Sequence, residues 1–248
     1  MHKLGLVSVS FRKHTPEEIL QAMQNTPLRY IEWGSDIHAP VNDPEALHQL
    51  AQLQKVYGIT CSSYGTYFHL GRDPIEELES YIDAAQILET NILRLWCGDK
   101  NSQDYTPEER EALFAICRQA AVIGEKRGVI LCMETHQKTF TNTKESAVTL
   151  MQAVGSEHFR MYWQPNQYRT EKENIAHAAA TADYTQILHV FNWQGKEHLP
   201  LQDGVQTWKR YLSQFDGDRT LLLEFMPDGL LTTLETEGKA LIEIVEGK

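Results

Sequence analysis

Short apolar runs that stop abruptly at a polar or charged residue recur along the chain, each followed by a longer stretch with helical spacing. The clearest is Gly128-Val129-Ile130-Leu131-Cys132-Met133-Glu134-Thr135-His136. Unbroken hydrophobicity without alternation is the pattern of a parallel strand covered on both faces by helices. The same grammar returns in Phe159-Arg160-Met161-Tyr162-Trp163 before Gln164, in Ile187-Leu188 before His189 and in Leu221-Leu222-Leu223 before Glu224.

Earlier in the chain, strands are predicted at Leu4 to Ser10, Tyr30 to Trp33, Ile59 to Ser62 and Ile92 to Trp96. Helices open between them at Thr15-Pro16-Glu17-Glu18, Asp43-Pro44-Glu45, Asp73-Pro74-Ile75-Glu76-Glu77 and Thr106-Pro107-Glu108-Glu109. Each start combines a capping side chain with proline in the first turn and acids favoured by the helix dipole. Further helices are expected at about Thr143 to Val154, Lys172 to Thr181, Val205 to Phe215 and Leu231 to Val245, with Asp203-Gly204 as a turn leading into the seventh. Strand centres recur every 24 to 38 residues, the spacing of successive strand-helix units. Eight such units predict one α/β domain over residues 1–248, a (β/α)₈ TIM barrel. A doubly wound open sheet would want a glycine-rich turn after the first strand, and Val9-Ser10-Phe11-Arg12-Lys13 has no glycine.

Composition narrows what such a barrel could do. The 248 residues carry a formal net charge of -11, which argues against nucleic-acid or anionic-membrane partners, since both need a basic face. No stretch approaches the roughly 20 apolar residues of a membrane span. Met1-His2-Lys3-Leu4 runs straight into a strand without a signal-peptide pattern, so a cytoplasmic location is expected. The four cysteines form no CxxC pair and read as reduced structural thiols.

In a barrel the last four strands are neighbours, so Glu134, Gln164, His189 and Glu224 are expected to meet at the carboxyl rim. Two carboxylates, an imidazole and an amide oxygen suit a hard divalent cation, which would also relieve the repulsion between the acids. Any one of them alone would read as a hydrogen-bonded strand end; four in succession carry the expectation. Substrate contacts are expected from Glu32, Trp33 and His38 after the second strand, His69 after the third, Trp96 after the fourth and His136 beside Glu134. Asn166, Gln167, Trp193, Lys196 and His198 complete the candidates. For the tryptophans, Trp163 included, a place in the core is an equal reading, and for Lys196 and His198 a solvated loop is the competing one.

The series Glu134-Thr135-His136, Tyr162-Trp163-Gln164-Pro165-Asn166, His189-Val190-Phe191-Asn192-Trp193 and Leu223-Glu224-Phe225 resembles the xylose-isomerase-like barrel superfamily, in its sugar phosphate isomerase/epimerase branch. The resemblance covers nearly the whole chain. It implies metal ligation by Glu134, the Gln164 position, His189 and Glu224, with one Mn²⁺, Mg²⁺ or Zn²⁺ per chain. It also implies an acid/base role for Glu134 and Glu224 on opposite faces of the substrate. At the sixth strand, Gln164-Pro165-Asn166-Gln167 replaces the Asp-x-x-His of metal-dependent members, so one anionic ligand is lost and metal affinity is expected to fall.

The leading functional expectation is therefore a metal-dependent isomerase or epimerase of a sugar or sugar phosphate, moving a proton next to a carbonyl through an enediolate. A non-catalytic sugar-binding protein with a degenerate metal site is the alternative. An AP-endonuclease-like enzyme or a dehydratase on the same fold also stand open, as does association with copies of itself.

Overall fold

The computed structural model describes residues 1–246, and the last two residues of the expected domain lie outside the described residues. Eight parallel strands close into a barrel in the order β1 (Lys3–Val7), β10 (Thr220–Leu223), β7 (Thr185–Val190), β6 (Phe159–Trp163), β5 (Ile130–Glu134), β4 (Ile92–Cys97), β3 (Thr60–Leu70) and β2 (Tyr30–Gly34). Around them run α1 (Pro16–Met23), α2 (Pro44–Val56), α3 (Leu78–Ile87), α4 (Pro107–Arg127), α5 (Lys144–Val154), α6 (Glu171–Thr181), α7 (Leu201–Leu212) and α8 (Leu234–Glu246). The expected (β/α)₈ barrel is the observed fold. No helix among the described residues is long and apolar enough to cross a membrane.

The caps behave as their sequences suggest. Thr15, Thr106, Thr143 and Thr170 each accept the amide three residues on within a capping box, and Asp43 accepts from Ala46. Three details depart from the expected pattern. β3 runs to Leu70, well beyond the predicted Ser62, with irregular pairing to both neighbours. A small antiparallel hairpin, β8 (Asn192–Gln194) and β9 (Glu197–Leu199), rises above the rim where only a loop was expected. Asp203 and Gly204 lie inside α7 rather than before it. Gly204 is tolerated there because a Cβ would press on the Asn192 side chain, 3.1 Å away.

Side-chain parity sets the layers. Alternate residues of each strand face the barrel interior, where Val7, Val9, Cys132, Tyr162, Ile187 and Leu222 form a small apolar plug. A much larger cluster fills the shell between strands and helices. Residues one pleat beyond the plug, at the carboxyl ends of the strands, become the floor of the barrel mouth. All four cysteines are buried free thiols.

The start of α7 is held by a carboxylate from α8. Glu237 accepts the Leu201 amide at 3.3 and 3.1 Å, and burial pushes its pKa up from 4.5 to about 6. A raised carboxylate pKa favours the native state most below the unfolded value near 4.5, and that contribution disappears as pH rises through about 6. Glu237→Gln keeps an acceptor and removes the buried charge. It should raise Tm at pH 7.5, by an amount equivalent to at most about 2 kcal/mol, and leave Tm nearly unchanged at pH 4.5. Equal shifts at both pH values in thermal scans would rule this account out.

Candidate active site

The barrel floor is built around a buried guanidinium. Arg94 on β4 donates to Glu32 on β2 (3.1 Å) and to Glu134 on β5 (2.6 Å), with all three side chains at most 5% exposed. β2 and β4 are separated by β3, and the bridge crosses it at Gly65. A Cβ at that position would collide with Glu32 Oε1 and crowd the Arg94 guanidinium. Glu32 is fixed further by Ser63 Oγ (3.1 Å) and the Tyr162 hydroxyl (2.8 Å), both donating to Oε2. Burial alone would raise its pKa, but Arg94 and His189 outweigh it and hold the carboxyl down at about 2.

Glu134 is equally surrounded. Arg94 and the Trp96 indole N–H donate to Oε2, while Gln164 Nε2 donates to Oε1 at 3.1 Å. Against the opposing effect of burial, Arg94 and His189 hold its carboxyl well below the usual range. Glu224, at the end of β10, is different. Its Oε2 is buried without a hydrogen-bond partner and lies 3.3 Å from His189 Nδ1. The two glutamates expected to act alike thus sit in unlike surroundings.

His189 occupies the centre. Its Nδ1 is 3.4 Å from Glu134 Oε1 and 3.3 Å from Glu224 Oε2, and its Nε2 is 3.6 Å from Glu32 Oε2. Neither nitrogen has an aligned hydrogen bond. Burial works to lower its pKa, but Glu224, Glu32 and Glu134 together raise it well above the ordinary value.

Three carboxylates face one guanidinium here, leaving two negative charges for an imidazolium or a divalent cation to meet. Among the described residues no three or more His, Cys, Asp or Glu side chains form a ready-made metal cluster. The donor chemistry nevertheless suits one. The separations of His189 Nδ1 from the two glutamate oxygens match the edge, about 3.3–3.4 Å, of a tetrahedron of donors roughly 2.0–2.1 Å from an ion. His189 and Glu224 also hold unpartnered buried donor atoms. Gln164 is turned otherwise: its amide nitrogen faces two acceptors, Glu134 Oε1 and the Thr135 carbonyl. Its oxygen would serve as a ligand only after the amide turns.

Above this floor opens a cavity of about 530 Å³. Trp96, Glu134, His136, Gln164, Asn166, Gln167, Trp193 and Glu224 line it, as expected, together with Arg12, Tyr67, Arg94, Lys138, Phe191 and Phe225. His136 stacks on Trp96 with ring centroids 4.8 Å apart. Lys138 and Phe225 adopt left-handed φ values of 58° and 56°, a strained conformation for such side chains that concentrates at functional sites.

Six other expected contacts lie elsewhere. Trp33, one residue from Glu32, points to the opposite side of β2, where its indole donates to Gln54 of α2 (2.9 Å). Trp163 likewise packs outward against Trp208, Tyr211 and Phe215. His38 is buried against Ser8 Oγ and the His14 carbonyl. His69 donates to the Gly98 carbonyl (2.7 Å) and props Trp96 edge-on. Lys196 is exposed at the hairpin tip, and His198 stacks on Phe225 behind the lining. Arg94 was the residue overlooked, although a lone charge within Ile92-Leu93-Arg94-Leu95-Trp96 signals a buried partner.

A curated relative, the 3-dehydroshikimate dehydratase of Bacillus anthracis, is 24% identical over 193 residues, covering 67% of each chain. The crystal structure of the probable 3-DHS dehydratase AsbF from the same organism superposes with a TM-score of 0.83 at 18% identity, covering 98% of this chain and 99% of that one. The IOLI protein, whose structure contains a zinc atom, gives 0.78 at 15% identity over 99% and 98%. D-Psicose 3-epimerase from Clostridium cellulolyticum H10, solved with D-tagatose, gives 0.66 at 12% over 99% and 97%. The characteristic sequence pattern of one family extends over residues 20–237, and with the barrel and its rim described above the chain belongs to the xylose isomerase-like TIM barrel family.

Proposed function

We propose that the chain is an enzyme acting on a small polyhydroxylated carbonyl compound, a sugar or sugar phosphate, by moving a proton on the carbon next to the carbonyl. The observation that carries this reading is Glu224 Oε2, a buried carboxylate oxygen with no hydrogen-bond partner on the wall of the cavity. A carboxylate oxygen with no hydrogen-bond partner on the wall of a site is free to accept a proton. Glu134, engaged by Arg94, Trp96 and Gln164, is instead a fixed anion. Glu224 therefore takes the proton and returns it, a one-base cycle that suits interconversion of aldose and ketose.

Glu134, His189 Nδ1 and Glu224 would hold a divalent cation, Glu224 through one carboxylate oxygen while the other accepts the proton, with the Gln164 oxygen joining if its amide turns. Such an ion polarises a carbonyl oxygen and meets the charge that develops on it. Trp96 and the stacked His136 orient a sugar ring, while Asn166, Gln167 and Lys138 offer polar contacts to its hydroxyl groups. The protein with a zinc atom and the epimerase solved with D-tagatose support the cation and the substrate class.

Dehydration is the second reading, favoured by the relative named as a 3-dehydroshikimate dehydratase. A single base next to a carbonyl also serves loss of water from the adjacent carbon. Incubating the protein with ketoses, aldoses and hydroxy-ketone acids in deuterated water separates the two: deuterium gained without loss of water marks isomerisation, and an unsaturated product marks dehydration.

Glu224→Gln should lower turnover by about 10² to 10⁴ with little change in Tm. Glu134→Gln should also lose activity, but with a marked fall in Tm, because removing one partner of a buried ion pair typically costs about 3–5 kcal/mol. Full activity in Glu224→Gln would end the one-base reading.

The cation can be tested without turnover. Chelator-treated protein should gain thermal stability on adding Mn²⁺ or Zn²⁺, and Gln164→Asp should lower the concentration needed, since a further anion joins the set. Absence of both bound metal after purification and a metal-dependent Tm shift would rule out the cation's part.

A further inference from the structure

Outside the first cavity, the amino-terminal ends of α5 and α6 border a second one, of about 640 Å³. It is lined by Thr143, Lys144 and Glu145 from one helix start and by Arg169, Thr170, Lys172, Glu173, Ala176 and His177 from the other. None of these residues lines the first cavity. His177 is only 2% exposed, and neither of its ring nitrogens has a hydrogen-bond partner. A buried imidazole with both nitrogens idle costs free energy unless something is bound to it.

The surroundings favour an anion. Thr143 and Thr170 cap the third amide of their helices, which leaves the first amides of each helix, at the positive end of its dipole, as donors. Three cations, Lys144, Arg169 and Lys172, share the cavity with two carboxylates. Both carboxylates have local partners: Glu173 accepts the amide and hydroxyl of Thr170 in the capping box, and Glu145 lies 3.6 Å from Lys144. Burial lowers the pKa of His177 to about 3, and Arg169 and Lys144 add to that effect, so positive charge accumulates around the ring. Arg169 is itself partly buried, and its guanidinium donates to the Asn142 carbonyl.

We infer that the cavity between the starts of α5 and α6 is a binding site for a phosphate group, held by Arg169, Lys144, Lys172, His177 and the helix amides. Arg169 ties the loop after β6 to the loop after β5, and both loops line the first cavity, through Gln137 and Lys138 on one side and Gln164 to Tyr168 on the other. Occupation of the second site steadies these loops. The phosphate is carried either by the free ion or by a small phosphomonoester, for which the cavity has room.

Inorganic phosphate and glycerol 3-phosphate, each titrated at ionic strength matched with sodium chloride, are the probes. Either should raise Tm saturably beyond chloride and slow amide exchange in residues 137–143 and 164–172. The ester binding more tightly assigns a carried phosphate, and inorganic phosphate binding more tightly assigns the free ion. Arg169→Gln and His177→Phe should abolish the effect. Lys172→Gln, at an exposed position that leaves the fold intact, should weaken half-saturation about three-fold without altering Tm in chloride. No stabilisation beyond chloride, or equal stabilisation of wild type and Lys172→Gln at every concentration, would overturn the site.

Discussion

The bridge from Glu32 through Arg94 to Glu134 is the constraint on which the barrel mouth depends. It joins β2, β4 and β5 beneath a polar floor, where each unpaired charge would carry a desolvation cost of several kcal/mol. The guanidinium meets that cost with directed bonds to two carboxylates, and it does so over Gly65, the one residue of β3 whose lack of a side chain leaves room. Ser63 and Tyr162 then complete the shell of Glu32. A buried ion pair of this kind contributes more to position than to net stability. Its partners at the mouth are held with little freedom as a result.

That rigidity makes the site electrostatically lopsided. With Arg94 spent on Glu32 and Glu134, the charge of Glu224 is met most closely by His189, which lies beside all three carboxylates. The imidazole and a divalent cation answer the same need, and they compete for it, because a ligating histidine must be neutral at the bound nitrogen. The amide at Gln164 shifts this balance. An aspartate there would add a fourth anion, whereas the amide donates a hydrogen bond to Glu134 and leaves the site closer to neutrality.

The barrel and much of its floor were legible in the sequence because apolar runs that end in Glu134, Gln164, His189 and Glu224 encode both burial and position. Parity was harder to read. Trp33 and Trp163 follow strands as Trp96 does, yet the alternation of the pleat sends them to the helix side, and nothing in one dimension fixes the phase of a run apolar on both faces. Arg94 was visible as a charge in a buried strand, but its partners lie 62 and 40 residues away in sequence. The hairpin of β8 and β9 escaped notice because three-residue strands carry too little pattern to separate from a loop.

The hairpin matters for how a substrate would lie. Phe191, Trp193 and Phe225 pack together, with ring centroids 4.7 to 6.0 Å apart, and give the Glu224 side of the cavity an aromatic wall. Across from it, the β5 and β6 loops present Gln137, Lys138, Gln164, Asn166 and Gln167, an almost wholly polar wall. A sugar has a corresponding asymmetry: its C–H bonds form apolar patches that stack on aromatic rings, and its hydroxyl groups seek hydrogen bonds. The two walls would therefore turn the C–H face of the substrate towards β7 and β10, where the unpartnered oxygen of Glu224 lies, and the oxygen atoms towards Glu134 and Gln164. On the proposed reading, binding in that orientation would place the bond to be broken on the side of Glu224, so that walls suited to a sugar would also select the face from which its proton leaves.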